Sequence, residues 1–214
     1  MFTQTKTTDL SDDNLDQELI TLEQFYDWYP DGGGRFELRN GVIKQLQSSG
    51  SDEQLAGFLA LKISVEIKRL NLPFFIPRQG LIKAINSDKS AYIPDVLVLD
   101  QQEIVNEPLW QKRSTIIKGI TVKLAIEVVS TNWQDDYLMQ LAEYEKLGIS
   151  EYWIVDYLGL GGRRYIGDPK QPTISVYSLV EGEYMIQLFR GQDIVRSPCL
   201  PELGLTAESI FASG

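Results

Sequence analysis

Apolar residues recur along this chain in two rhythms, and the order in which the rhythms alternate predicts its elements. Leu55, Phe58, Leu59, Leu61, Ile63 and Ile67 recur at near-helical spacing and predict a helix over about 52–70. Asp52 and Glu53 suit its positive end, and Asn71 and Pro73 stop it. A shorter helix is predicted over 22–29. Thr21-Leu22-Glu23-Gln24 opens it, because the Thr21 hydroxyl can accept from an early amide while Gln24 reaches back. Pro30-Asp31-Gly32-Gly33-Gly34 ends it. A third helix is expected over 135–147, closed by Gly148, and Thr206-Ala207-Glu208-Ser209 opens a short last one.

The other rhythm is that of strands. Segments 35–38 and 42–47 flank Asn40-Gly41, a hairpin signal, and 174–180 and 184–189 flank Glu181-Gly182 in the same way. Segment 74–76 is a short strand, and 80–85 is expected to pair with 92–99. Pro94 has no N–H to give a ladder, so the regular part of that strand should begin at or just after it. The stretch 100–119 reads as an irregular excursion and 159–167 as a glycine-rich loop. Apolar strands over 121–130 and 151–157 flank the third helix with tight connections, which makes a βαβ crossover. The fold class is therefore α/β with a mixed sheet. Residues 19–214 form one domain, preceded by a polar, acidic lead-in (1–18) that is expected to be flexible.

Composition narrows the chemistry. The 214 residues include 30 acidic and 20 basic side chains, for a net charge of −10, and 43% are hydrophobic, enough for a real core. No apolar run approaches the roughly 18–20 residues of a membrane span. Met1 to Asp16 has no apolar stretch of the kind a signal peptide needs, so a cytoplasmic protein without membrane contact is expected. There is no histidine and one cysteine, Cys199. Serine–histidine and cysteine–histidine dyads, histidine-ligated metals, thiolate zinc sites and an intramolecular disulfide are all excluded. Carboxylates, lysines, tyrosines or a hard metal must carry any catalysis. The acidic balance argues against a large basic nucleic-acid footprint, though not against a local patch.

The strand Val122-Lys123-Leu124-Ala125-Ile126-Glu127-Val128-Val129 is the most informative stretch. Alternation puts Val122, Leu124, Ile126 and Val128 on one face and Lys123, Ala125, Glu127 and Val129 on the other. A glutamate inside so apolar a strand is costly unless it is paired, protonated or on a metal. Asp95, between Pro94 and Val96-Leu97-Val98-Leu99, poses the same problem. Two carboxylates at comparable places on two strong strands can converge on one cation. Mg²⁺ suits them because it takes a few carboxylates and keeps its waters. The alternatives are a turn or cap role for Asp95 and a Lys or Arg partner for Glu127. Gly32-Gly33-Gly34 and Gly161-Gly162 read as turns, Arg163, Arg164 and Lys170 as a solvated loop able to touch nucleic acid, and Tyr152 and Trp153 as core.

Four segments in order carry a resemblance: Phe36-Glu37-Leu38-Arg39-Asn40-Gly41, Ile93-Pro94-Asp95-Val96, Ile126-Glu127-Val128-Val129-Ser130, and Gly148-Ile149-Ser150-Glu151-Tyr152-Trp153-Ile154-Val155-Asp156. Together they resemble the Uma-two family, restriction-endonuclease-like proteins with a PD-(D/E)XK-type nuclease core. The resemblance implies such a core, carrying an N-terminal helix-hairpin and a C-terminal β extension. It implies an endonuclease that hydrolyses DNA phosphodiesters with Mg²⁺ or Mn²⁺, works with DNA as partner, and is compatible with a homodimer. Asp95 and Glu127 would hold the metal, and Glu37 would join the site.

The superfamily's lysine belongs two residues after the glutamate, where this chain has Val129. In this family it migrates to the next helix, to the face bearing Asp136, Gln140 and Tyr144, and Gln140 stands at the lysine's place. Glutamine can hydrogen-bond a water but brings no charge. Lys123 shares the predicted face of Glu127 yet lies roughly 13 Å along the strand. Asp52 stands where the family often has histidine. These departures leave open a second class of function, a catalytically weakened relative that binds nucleic acid or protein without cleaving, and behind it a structural assembly protein.

Overall fold

The computed structural model describes residues 19–30 and 33–214. The predicted lead-in over 1–18, and Asp31 and Gly32 of the first helix terminator, lie outside the described residues. Helix α1 (Leu22–Trp28) has the predicted capping box, with Gln24 N–H on Thr21 Oγ1 at 3.3 Å and Thr21 N–H on Gln24 Oε1 at 2.7 Å. Strands β1 (Phe36–Arg39) and β2 (Val42–Gln45) form the first hairpin. Its turn needs positive φ at Asn40 (51°) and Gly41 (83°), which is why Asn-Gly marks it. Helix α2 (Gly50–Arg69) buries Leu55, Ala56, Leu59, Ile63 and Ile67 along one stripe, while Leu61, one of the periodic residues, points to solvent.

Pro94 then divides the strands between two sheets. Strands β3 (Phe74–Phe75), β4 (Leu81–Lys83), β5 (Ala91–Tyr92) and β6 (Val96–Asp100) follow α2. The expected pairing of 80–85 with 92–99 is realised only between β4 and β5. Beyond Pro94 the chain crosses over, and β6 joins the other sheet. The region expected to be irregular holds the short helix α3 (Trp110–Arg113) and β7 (Thr115–Ile116), which runs parallel to β4. Next come β8 (Val122–Val128), a π-helical turn (Asp135–Gln140) leading into α4 (Leu141–Leu147), and β9 (Glu151–Asp156), parallel to β8 as the crossover requires. The glycine-rich loop contains a single helical turn, α5 (Arg163–Ile166). Strands β10 (Thr173–Val180) and β11 (Glu183–Phe189) form the second hairpin, and α6 (Ala207–Phe211) ends the chain.

The smaller sheet has the order β2-β1-β5-β4-β7 and the larger β11-β10-β9-β8-β6-β3. Both are mixed, so the chain is α/β as expected, with its strands in two sheets. Helices α2 and α6 cover one face of the larger sheet through Leu59, Ile63, Ile126, Trp153 and Ile210. The other face packs on α4 and the small sheet through Tyr144, Tyr152, Ile82 and Tyr92. Helix α1 closes the far side of the small sheet over Leu38, Ala91 and Ile93. No helix among the described residues is long and apolar enough to cross a membrane.

One predicted face assignment is corrected. The register between β6 and β8 shifts between Val98 and Leu99, so that Leu99 stands opposite Val122. This irregularity moves Val122 to the core side shared with Ala125 and Val129. Lys123, expected on the face of Glu127 but too far along the strand to reach it, holds Asp100 at 3.1 Å and lies over the Phe74 ring.

Candidate active site

The antiparallel register that pairs Val96 with Ile126 sets Asp95 opposite Glu127 when continued by one residue. Directly opposed residues share a sheet face, so both carboxylates leave the sheet on the side away from α2. Asp95 Oδ2 accepts the Val128 N–H at 2.9 Å, and its Oδ1 accepts from Arg35 at 3.2 Å. Burial pushes Asp95 above the usual carboxylate range, while the Val128 amide and Arg35 pull the other way. Of the roles weighed for this residue, the capping one is seen directly: one oxygen holds a backbone amide, and the other is paired with Arg35.

Glu127 is 6% exposed. Its Oε1 accepts from Gln140 Nε2 at 2.8 Å and from the Tyr144 hydroxyl at 3.4 Å. Its Oε2 makes no hydrogen bond and no basic side chain contacts it, among the described residues. Burial pushes Glu127 well above its ordinary value, and Asp95, Asp136 and Glu37 push the same way. Asp136 is driven up too, by burial and then by Asp95. The predicted face Asp136, Gln140, Tyr144 therefore does meet the site, delivered by the π-helical turn and the start of α4. Gln140, 1% exposed, gives its amide N–H to Glu127, and its own Oε1 is buried without a partner.

Glu37, 0% exposed, reaches the same region from β1, but its oxygens are already engaged. Oε1 accepts the Ile93 N–H at 2.6 Å, and Oε2 accepts from Arg39 Nε at 2.7 Å. It thereby fixes the chain entering Pro94-Asp95. Asp52 forms the capping box of α2, with Ser49 N–H on Oδ2 at 3.0 Å, and accepts the Tyr157 hydroxyl at 3.0 Å. Asp52 is thus explained as a helix cap.

Three site residues, Arg35, Arg39 and Asp135, were missed in the sequence. Arg39 pairs with Asp135 as well as with Glu37, and Arg35 pairs with Asp95. The available signal was the alternation Arg35-Phe36-Glu37-Leu38-Arg39, which puts three charges on one face of an extended segment. A cavity of about 530 Å³ has Glu37, Asp52, Asp95, Glu127, Asp135 and Asp136 in its wall together with Arg39, while Arg35 lies outside the lining and touches Asp95 from beyond it. Six carboxylates and one guanidinium leave this wall rich in acidic groups.

Among the described residues, no three Asp, Glu or Cys side chains are grouped so as to hold a metal ion by themselves. The donor set is two carboxylates, with peptide oxygen and water left to complete a shell. That hard, incomplete, all-oxygen set fits Mg²⁺ or Mn²⁺, and Glu127, whose Oε2 makes no hydrogen bond, lines the cavity.

The family model described as "Uma2: Putative restriction endonuclease" matches residues 22–208. Four chains of solved structures match. One is described as a putative nuclease belonging to DUF820 from Anabaena variabilis ATCC 29413; it is 18% identical, with a TM-score of 0.66, over 91% of this chain and 98% of that one. At that identity the likeness establishes the fold. No curated protein matches.

Proposed function

Because this chain belongs to the Uma2 family, whose members are described as putative restriction endonucleases, we propose that it is an endonuclease that hydrolyses DNA phosphodiesters with Mg²⁺ or Mn²⁺. Asp95 and Glu127 are the residues that would hold the cation. The observation that carries this reading is the pairing itself. Two carboxylates stand opposite one another where the β6–β8 register is continued by one residue beyond β6, Asp95 tied to a single arginine and Glu127 without a salt-bridge partner. When bound, a divalent cation at such a site polarises the phosphodiester and offsets its developing charge.

The protein's own residues have separable tasks in this reading. Gln140 and Tyr144 fix Glu127 Oε1 and leave Oε2 for the cation. Glu37 holds the Ile93 amide and so sets the approach of Asp95. Arg39, clamped between Glu37 and Asp135, keeps those two acids from repelling one another. Cleavage of both strands of a duplex by one site per chain would use two copies, which is the basis for expecting a homodimer. The proposed workplace is the cytoplasm.

A second reading rests on Gln140. The group at the lysine's place is neutral and hydrogen-bonded to a ligand carboxylate, so the protein would bind DNA and cleave it poorly or not at all. A plasmid-nicking assay with Mg²⁺ or Mn²⁺ separates the two. Nicking by the wild type that is abolished in Asp95→Ala supports the nuclease. An inert wild type that gains nicking in Gln140→Lys supports the weakened relative.

A further inference from the structure

Arg35, Glu37 and Arg39 are alternate residues of one extended segment, and all three turn toward the carboxylates. The two guanidiniums are held very differently. Arg39 sits 2.7 Å from Glu37 Oε2, is also bonded to Asp135, and is fixed from both sides by carboxylates. Arg35 has three acceptors, all distant: Asp95 Oδ1 at 3.2 Å, the Pro94 carbonyl at 3.3 Å and Glu53 Oε1 at 3.4 Å. Charge-assisted hydrogen bonds of full strength lie near 2.7–2.9 Å. The Arg35 side chain is 26% exposed, and its backbone is anchored separately by the Leu46 N–H on its carbonyl at 2.9 Å. The guanidinium can therefore move by rotation about its own bonds while β1 stays in place.

We propose that Arg35 is a phosphate-binding residue. It is the counter-ion of Asp95, and it passes to a non-bridging oxygen of a phosphodiester when a divalent cation takes that carboxylate. The proposal rests on the metal site described above and names the cation that Gln140 fails to supply. Oδ1 of Asp95 cannot be shared at full strength between a guanidinium and a metal ion, so the two cations compete for it. The planar fork of arginine then suits a phosphate better than any other donor nearby. Arg39 is not available for this role, and Lys123 is engaged by Asp100.

The competition gives the test two readouts of opposite sign. Mn²⁺ binding is measured by calorimetry, and binding of a fluorescent 20-base-pair DNA duplex in Ca²⁺ by anisotropy. Arg35→Gln is expected to bind Mn²⁺ about fivefold more tightly, the scale of a lost partly exposed ion pair. It is expected to bind the duplex roughly tenfold more weakly, the scale of a lost phosphate contact. Arg35→Lys keeps the charge and should bind Mn²⁺ as the wild type does, with DNA affinity between the two. A structural role for Arg35 would weaken both affinities in Arg35→Gln, and that result overturns the proposal, as does unchanged Mn²⁺ affinity or a wild type that does not bind the duplex. Failure of the metal-site reading looks different, because it is seen without any Arg35 variant. There the wild type binds no Mn²⁺, or binds it equally well as Asp95→Asn.

Discussion

Strands β8 and β9 lie side by side at the centre of the larger sheet, and each buries a glutamate. Glu151 on β9 is surrounded by donors, with the Trp153 indole N–H at 2.6 Å and the Cys199 amide at 2.9 Å. Glu127 on β8 receives one amide and one hydroxyl on a single oxygen, and the acids Asp95, Asp136 and Glu37 around it outweigh the more distant Arg35. Burial raises the pKa of both. At Glu151 the Cys199 amide and Trp153 then oppose it, whereas at Glu127 the carboxylates of Asp95 and Asp136 add to it. The difference separates a carboxylate whose two oxygens are both given donors from one whose second oxygen has none. A buried acid is not informative in itself; what surrounds its second oxygen is.

The largest effect should come from neutralising the second kind. Glu127→Gln preserves shape and removes a charge that burial disfavours. Its stability to urea should stay within about 1 kcal/mol of the wild type, while metal-dependent cleavage falls by about a hundredfold or more, as loss of a transition-state charge contact implies. A stability loss comparable to that of Glu151→Ala would erase the contrast.

Glu151→Ala should behave in the opposite way. It strands the Trp153 and Cys199 donors in the core and should cost about 3 kcal/mol in urea unfolding, with Mn²⁺ affinity unchanged. A shifted Mn²⁺ affinity would mean that the two strands are not functionally separate.

The smallest effect is on the pH profile. Asp95, Glu127 and Asp136 have folded-state pKa values above their ordinary 3.8, 4.5 and 3.8. The folded chain therefore holds protons that the unfolded chain has released, and stability falls as pH rises from about 4 through the raised values. Thermal unfolding should show this decline. Mg²⁺ should flatten it, because a bound cation favours the ionised forms, and Glu127→Gln should flatten it without Mg²⁺. A stability that rises with pH over this range would contradict the assignment.

Much of this was legible in the sequence, for reasons that differ by element. The hairpins announced themselves through Asn40-Gly41 and Glu181-Gly182, whose positive φ values admit few other pairs. Asp95 and Glu127 stood out because charge inside apolar strands is expensive wherever it occurs. The division into two sheets was hidden, since Pro94 says only that a ladder stops and not where the chain goes next. The flip of Val122 was hidden too, because a register shift has no signature within one strand. Arg35 and Arg39 were read as hairpin residues. Their role follows from how the small sheet docks against the large one, and no local pattern encodes that. The π-helical turn was likewise invisible, and the face it presents was picked out only through the family resemblance.

Pro94 has one more consequence. Where the ladder lapses around it, side-chain carboxylates take over the work of backbone carbonyls: Glu37 receives the Ile93 amide and Asp95 the Val128 amide. Two peptide protons at the seam between the sheets therefore rest on acceptors whose charge can change. Those two protons are native reporters of the site, and their solvent-exchange rates and chemical shifts in an NMR spectrum would read its protonation and cation loading with no label attached.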